Sequence, residues 1–144
     1  MSRSHETVID IKATPEEVFR ALTDPGQIVK WFCDEARVDP RVGGEYFFAW
    51  GGMGATTTIT AWEPGQHFGT ASERSKTYGH KGPVDTGVVQ MCVDYYIESL
   101  GGGITRLRLV QSGFGPEAVW DDEFADTKSG WADFLKKLKG LFGK

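Results

Sequence analysis

Residues 13–32 read ATPEEVFRALTDPGQIVKWF, and this stretch decides the fold. Thr14 can cap a helix, Pro15 suits its first position, and Glu17 completes a T-x-x-E capping box. Val18, Phe19 and Leu22 supply its apolar stripe. Asp24-Pro25 repeats the device for a second short helix that carries Ile28, Val29, Trp31 and Phe32. Caps satisfy the free amides at each helix start, so the spacing predicts two short, separately punctuated helices. Before them, Glu6 to Ile11 reads as a strand, with Val8, Ile9 and Ile11 giving β-branched character.

Downstream, the pattern changes to strands. Val42-Gly43-Gly44 turns the chain into Glu45 to Trp50, where Tyr46, Phe48 and Trp50 share one face and Phe47 and Ala49 the other. Gly51 to Gly54 reads as a flexible turn, and Thr56 to Trp62 as a threonine-rich strand ended by Glu63-Pro64-Gly65. His67 to Glu73 follows as a strand. Ser75 to Asp85, with Gly79, Gly82 and Pro83, lacks periodicity and reads as the longest loop. Gly87 to Glu98 is expected to be the longest strand, alternating Val89, Met91, Val93, Tyr95 and Ile97 with a more polar set. Gly101-Gly102-Gly103 makes a hairpin turn into Ile104 to Ser112. There Leu107 and Leu109 face one way and Arg106 and Arg108 the other.

From Pro116 the period becomes helical. Trp120, Phe124, Thr127, Trp131, Phe134, Leu135, Leu138 and Leu141 recur at three- and four-residue steps. Acidic residues lie early and Lys136, Lys137 and Lys139 late, which complements the helix dipole. A break near Gly115 to Glu123 would split off a short preceding turn. Gly130, inside this periodic helix, is expected to permit close approach of helix to sheet, because glycine there costs about 1 kcal/mol relative to alanine.

At 144 residues the chain is expected to be one domain, 1–144, large enough to fold without metal or disulfide. A net charge of -4 argues against a nucleic-acid or anionic-membrane surface. Cys33 and Cys92 form no C-x-x-C and read as reduced structural thiols, with a disulfide as the alternative. No apolar run approaches a membrane span, and MSRSHETVIDIK has no secretory h-region, so a cytoplasmic protein is expected.

Chemical motifs are sparse. His5, His67 and His80 are isolated and read as surface or loop histidines, so no metal and no cofactor is expected. No G-x-S-x-G, P-loop or dinucleotide fingerprint occurs, and no catalytic residue is assigned. The Lys136-Lys137-x-Lys139 cluster reads as a solvated helix end. The aromatic set Tyr46, Phe48, Trp50, Tyr95, Phe124 and Trp131 either lines a cavity or packs as solid core.

Several of these residues carry a family resemblance: I-x-A-T-P-E-E-V-F-x-A-L-T-D-P at 11–25, Trp31-Phe32, Gly43-Gly44-x-Tyr46-x-Phe48 and Glu63-Pro64. Gly103-x-Thr105-x-Leu107-x-Leu109, Ser112-Gly113-Phe114 and Gly130-Trp131 with Leu135 and Leu138 extend it over nearly the whole chain. In order and spacing they resemble the family of homologues of the activator of heat shock protein 90 ATPase, within the START-like or SRPBCC superfamily. The resemblance implies an α+β helix-grip fold: a curved antiparallel sheet of six to seven strands wrapped around a long C-terminal helix, with two short helices after the first strand. It implies a hydrophobic cavity between sheet and helix.

The superfamily includes lipid carriers, polyketide cyclases, hormone receptors and stress-linked proteins, so function rests on the site. Many relatives carry His where this chain has Gln111, and no role of that His transfers. The eukaryotic namesake has a second, N-terminal domain that engages the chaperone, which this chain is expected to lack. The leading reading is non-enzymatic binding of a small hydrophobic or aromatic ligand by Tyr46, Phe48, Trp50, Met91, Val93, Tyr95, Leu107, Gln111, Phe124 and Trp131. The rivals are a polyketide-cyclase or hydratase-type enzyme, and a protein-interaction module such as a chaperone-ATPase activator. Either a monomer or a homodimer is compatible with the sequence.

Overall fold

The computed structural model of the chain describes residues 3–74 and 87–143, together with the backbone of 78–79 and 82–83. It begins with β1 (Arg3–Ile11), three residues earlier than the sequence suggests, and continues into α1 (Pro15–Thr23) and α2 (Pro25–Ile28). Both halves of the Thr14–Glu17 capping box form, and the Asp24 side chain accepts from the Gly26 amide. The end of α1 is closed by side chains as well as backbone. The Phe19 carbonyl accepts from Thr23 Oγ1 at 2.8 Å and that of Arg20 from the Asp24 amide at 2.9 Å. Ala21 O accepts from Trp31 Nε1 at 2.9 Å and Leu22 O from the Tyr46 hydroxyl at 3.1 Å. The carbonyls of Arg20, Ala21 and Leu22 in the last turn therefore each have a donor. Because α2 stops at Ile28, Trp31 and Phe32 lie in the turn that follows it rather than on the helix.

Then come β2 (Glu35–Val38), β3 (Glu45–Trp50), β4 (Met53–Glu63), β5 (His67–Arg74), β8 (Val89–Gly101) and β9 (Ile104–Phe114). A separate two-residue ladder pairs β6 (Tyr78–Gly79) with β7 (Gly82–Pro83). The rest of the Ser75 to Asp85 loop, His80 included, lies outside the described residues. Trp50 pairs with Met53, and the two residues between them, Gly51 and Gly52, have φ of 53° and 86°. That makes the glycines a tight hairpin of the primed type, whose hand matches the strand twist.

Among the described residues the main sheet has seven strands in the order β1-β9-β8-β5-β4-β3-β2, antiparallel throughout. β1 and β2 are thus its opposite edges, although they are joined only by α1 and α2. The two helices must therefore cross one face of the sheet. That face also receives α3 (Asp121–Gly140), which follows a 3-10 turn over Ala118–Trp120 where the sequence suggests a break. This is the helix-grip arrangement.

The gripped face is filled unevenly. At one end Ile9, Ile97 and Leu107 form a rung across β1, β8 and β9, packed with Val18, Phe19 and Leu22 of α1 and Leu135 and Leu138 of α3. At the other end Met91, Phe114 and Trp120 form a smaller cluster, against which Phe124 packs. Between the two clusters the face is hollow.

Gly130 does not make a close contact. A Cβ built there meets nothing within 4 Å, so the expectation of tight helix–sheet approach fails at this position. Cys33 and Cys92 are free thiols. Among the described residues no helix is long and apolar enough to cross a membrane.

Candidate functional site

The middle of the gripped face is built from strand alternation. Residues two apart point the same way, so β8 presents Met91, Val93 and Tyr95, and β3 presents Tyr46 and Phe48. Register carries one rung across four strands: Thr70 pairs with Val93, Val93 with Gln111, and Gln111 with His5. The opposite wall is Trp131 of α3 and Phe32 from the turn after α2, whose rings stack at 5.3 Å and 8°. These groups, His5 excepted, enclose a cavity of about 360 Å³. That volume falls at the low end of the usual range for small-molecule sites.

Seven of the ten residues singled out from the sequence border this space: Tyr46, Phe48, Met91, Val93, Tyr95, Gln111 and Trp131. Three do not. Trp50 shares the face of Tyr46 and Phe48 but lies on the far side of Phe32, where its Nε1 donates to Phe32 O at 2.7 Å and its ring stacks on Phe134. It borders a second, outer groove of about 220 Å³, and Phe32 is the wall between the two. Leu107 is fully buried in the solid rung below. Phe124 turns toward Phe114 and His5, at ring distances of 5.2 Å to each.

The sequence reading missed Phe32 and the polar strand faces. Thr57 and Thr70 line the cavity, and Ser72, Glu73 and Arg74 its mouth. The alternation of Thr70 and Ser72 with Ala71 on β5 is a signal that could have placed them, once Val93 was assigned inward.

The polar groups are held firmly. Trp131 Nε1 donates to Gln111 Oε1 at 2.8 Å, and Gln111 is buried. The Tyr46 hydroxyl proton goes to Leu22 O and that of Thr57 to Tyr46 O at 2.9 Å. Burial pushes the Tyr46 phenol far above its usual range, with a smaller push from Cys33. Tyr95 is raised in the same way, by burial first and then by Tyr46. Both phenols are therefore neutral at physiological pH. At the mouth Arg74 faces Glu123 of α3 at 3.8 Å. Arg106 and Arg108 point to the other face of the sheet, where they pair with Asp10 and Glu6.

His5 departs from the surface reading. It is 5% exposed, and its Nε2 lies 2.9 Å from Thr127 Oγ1 on α3. The Thr127 hydroxyl can spend its own proton on Glu123 O at 2.8 Å, so the imidazole donates and Nε2 carries the hydrogen. Burial lowers the His5 pKa, and Lys128 adds to the effect. His67 is partly buried and bonded to Asp94 at 2.8 Å. Among the described residues, no group of three or more His, Cys, Asp or Glu side chains is placed to hold a metal ion.

A comparison with curated proteins finds no match. Among solved structures, protein MLL2253 from Mesorhizobium loti is 25% identical, with a TM-score of 0.75 over 96% of both chains. The Aha1 dimer from Colwellia psychrerythraea is 22% identical, with a TM-score of 0.76 over 97% of this chain and 96% of that one. CalU16 from Micromonospora echinospora is 25% identical, with a TM-score of 0.71 over 99% of this chain and 75% of that one. The family described as Activator of Hsp90 ATPase homolog 1-like protein matches residues 12–143, which takes in α1, every strand of the gripped face beyond β1, and α3. The chain belongs to that family.

Proposed function

We propose that the chain binds a small hydrophobic or aromatic molecule in the cavity between sheet and α3, without transforming it. The observation that supports this best is a space of about 360 Å³ walled by Phe32, Tyr46, Phe48, Tyr95 and Trp131. Flat apolar ligands gain there from burial and from ring contacts.

The state of the lining's titratable groups favours binding over catalysis. A general acid or base works best with a pKa near the working pH. Burial moves Tyr46 and Tyr95 away from it, and the Tyr46 proton is already given to a backbone carbonyl. The carboxylate of Glu73 sits on an exposed residue at the mouth.

The test is a panel of fatty acids, flavonoids and polycyclic aromatics, read by tryptophan fluorescence and thermal shift. A binder should perturb the emission of Trp131 and raise the melting temperature, since a ligand specific for the folded state adds about 2.7 kcal/mol at a hundred times its Kd. Val93→Trp places an indole at the centre of the rung and should abolish the shift while leaving the circular dichroism spectrum unchanged. A panel that moves neither signal would overturn the reading, as would binding unaffected by Val93→Trp.

A further inference from the structure

Resting on the cavity reading above, we propose that Gln111 selects ligands that present a hydrogen-bond acceptor, and that the preferred class is a flat aromatic ketone or related carbonyl compound.

An amide side chain can present either its oxygen or its NH2 group, and the two are hard to tell apart by shape alone. Here the chemistry of the neighbour settles the choice. The indole of Trp131 can only donate, and its Nε1 lies 2.8 Å from the Gln111 amide, so the atom facing it is the oxygen. The NH2 group then points away from Trp131. Among the described residues no protein group accepts from it, and Gln111 borders the cavity. The side chain is 6% exposed and held in the middle of the Thr70–Val93–Gln111–His5 rung, so it cannot swing into solvent to find a partner. Of the other hydroxyls in the wall, those of Tyr46 and Thr57 have their protons engaged, on Leu22 O and Tyr46 O, whereas Thr70 and Tyr95 also border the space. The Gln111 NH2 is therefore a fixed donor set beside the rings of Trp131 and Tyr95. A ligand carbonyl facing it forms a bond that a hydrocarbon of the same shape cannot. Trp131 is a positioning residue in this scheme, because it sets which end of the amide the ligand meets.

The probes are three flat tricyclics of nearly equal shape: 9-fluorenone, 9-fluorenol and fluorene. Titrations by tryptophan fluorescence and calorimetry give their Kd values for the wild-type chain and for two variants. Fluorenone should bind about three- to tenfold more tightly than fluorene, the worth of one net hydrogen bond. Gln111→Met keeps the length of the side chain but has no donor, and the ketone-to-hydrocarbon preference should fall to about one. Gln111→Glu, measured at about pH 8.5 so that the carboxyl is ionised, still offers Trp131 an oxygen but turns a second oxygen toward the cavity. It should bind fluorenol more tightly than fluorenone, an inversion that loss of packing could not produce. Equal binding of fluorenone and fluorene by the wild-type chain would overturn the proposal while leaving the cavity reading intact. So would a ketone preference that survives Gln111→Met. If none of the three binds and the wider panel is also silent, the cavity reading itself fails.

Discussion

Replacing Phe32 by alanine would test the hollow directly. Phe32 is 6% exposed and its ring meets those of Trp31, Phe48, Trp50, Trp131 and Phe134 at 4.9 to 5.3 Å. Burying such a ring is worth up to about 3 kcal/mol. Its best ring geometry, the stack on Trp131, adds about 0.5–1.5 kcal/mol. In a solid core the void left behind would add a further cost proportional to its volume, which is why phenylalanine-to-alanine changes reach about 5 kcal/mol. One side of Phe32 already faces the cavity, so the new void merges with existing space and that further cost is small. The expected loss is about 3 kcal/mol, or roughly a 10 °C fall in melting temperature for a chain of this size. Phe68→Ala is the control. Phe68 is fully buried among Phe19, Tyr46, Trp62 and Tyr95, and its removal should cost about 5 kcal/mol. Urea denaturation with an unchanged m-value measures both. Equal losses for the two variants would mean that no hollow lies beside Phe32. A loss below about 1 kcal/mol would mean that Phe32 is not the wall described.

Two further outcomes are expected. Gly130→Ala should raise stability by about 1 kcal/mol, since the added methyl meets open space inside a helix, and a neutral or destabilising result in denaturant titration would refute that geometry. The lowered pKa of His5 means that the unfolded chain takes up its proton first, near pH 6.5. Its contribution to stability is thus complete above about pH 6.5 and declines as the pH falls toward the folded value, by at most about 1.4 kcal/mol per pH unit. Around the imidazole stand Thr127, Lys128, Phe114 and Phe124. His5→Gln should flatten the profile below about pH 6.5, and an unchanged slope would show that another group is responsible.

The parts of the fold legible in the sequence are those where local chemistry acts alone. The Thr14–Glu17 box, the Gly51-Gly52 turn and the Leu107/Arg108 alternation need no knowledge of the rest of the chain. β2 was not legible: Glu35–Val38 is short, lies at the sheet edge, and has one neighbour, so little in its composition is constrained. The site was legible to the level of a face but not of depth. Alternation puts Trp50 with Tyr46 and Phe48, and Leu107 on the inward side of β9. Whether an inward residue meets a void or a packed layer depends on where α1 and Phe32 fall across the sheet, and that is a property of the assembled layers. His5 reads as exposed because it stands near the chain start among polar neighbours, whereas its burial comes from α3 docking across β1.

The placement of β1 beside β9 has a consequence for synthesis on the ribosome. Its partner residues run from Phe114 back to Thr105, roughly a hundred positions after the strand itself. At translation rates of about 5–20 residues per second, β1 emerges and then waits on the order of ten seconds for a hydrogen-bonding neighbour. The helix that covers the gripped face arrives later still. During that interval the nascent strand has both edges open. Its Arg3, Glu6 and Asp10 charges, with Lys12 just beyond its end, would discourage pairing with another emerging chain in the same polysome.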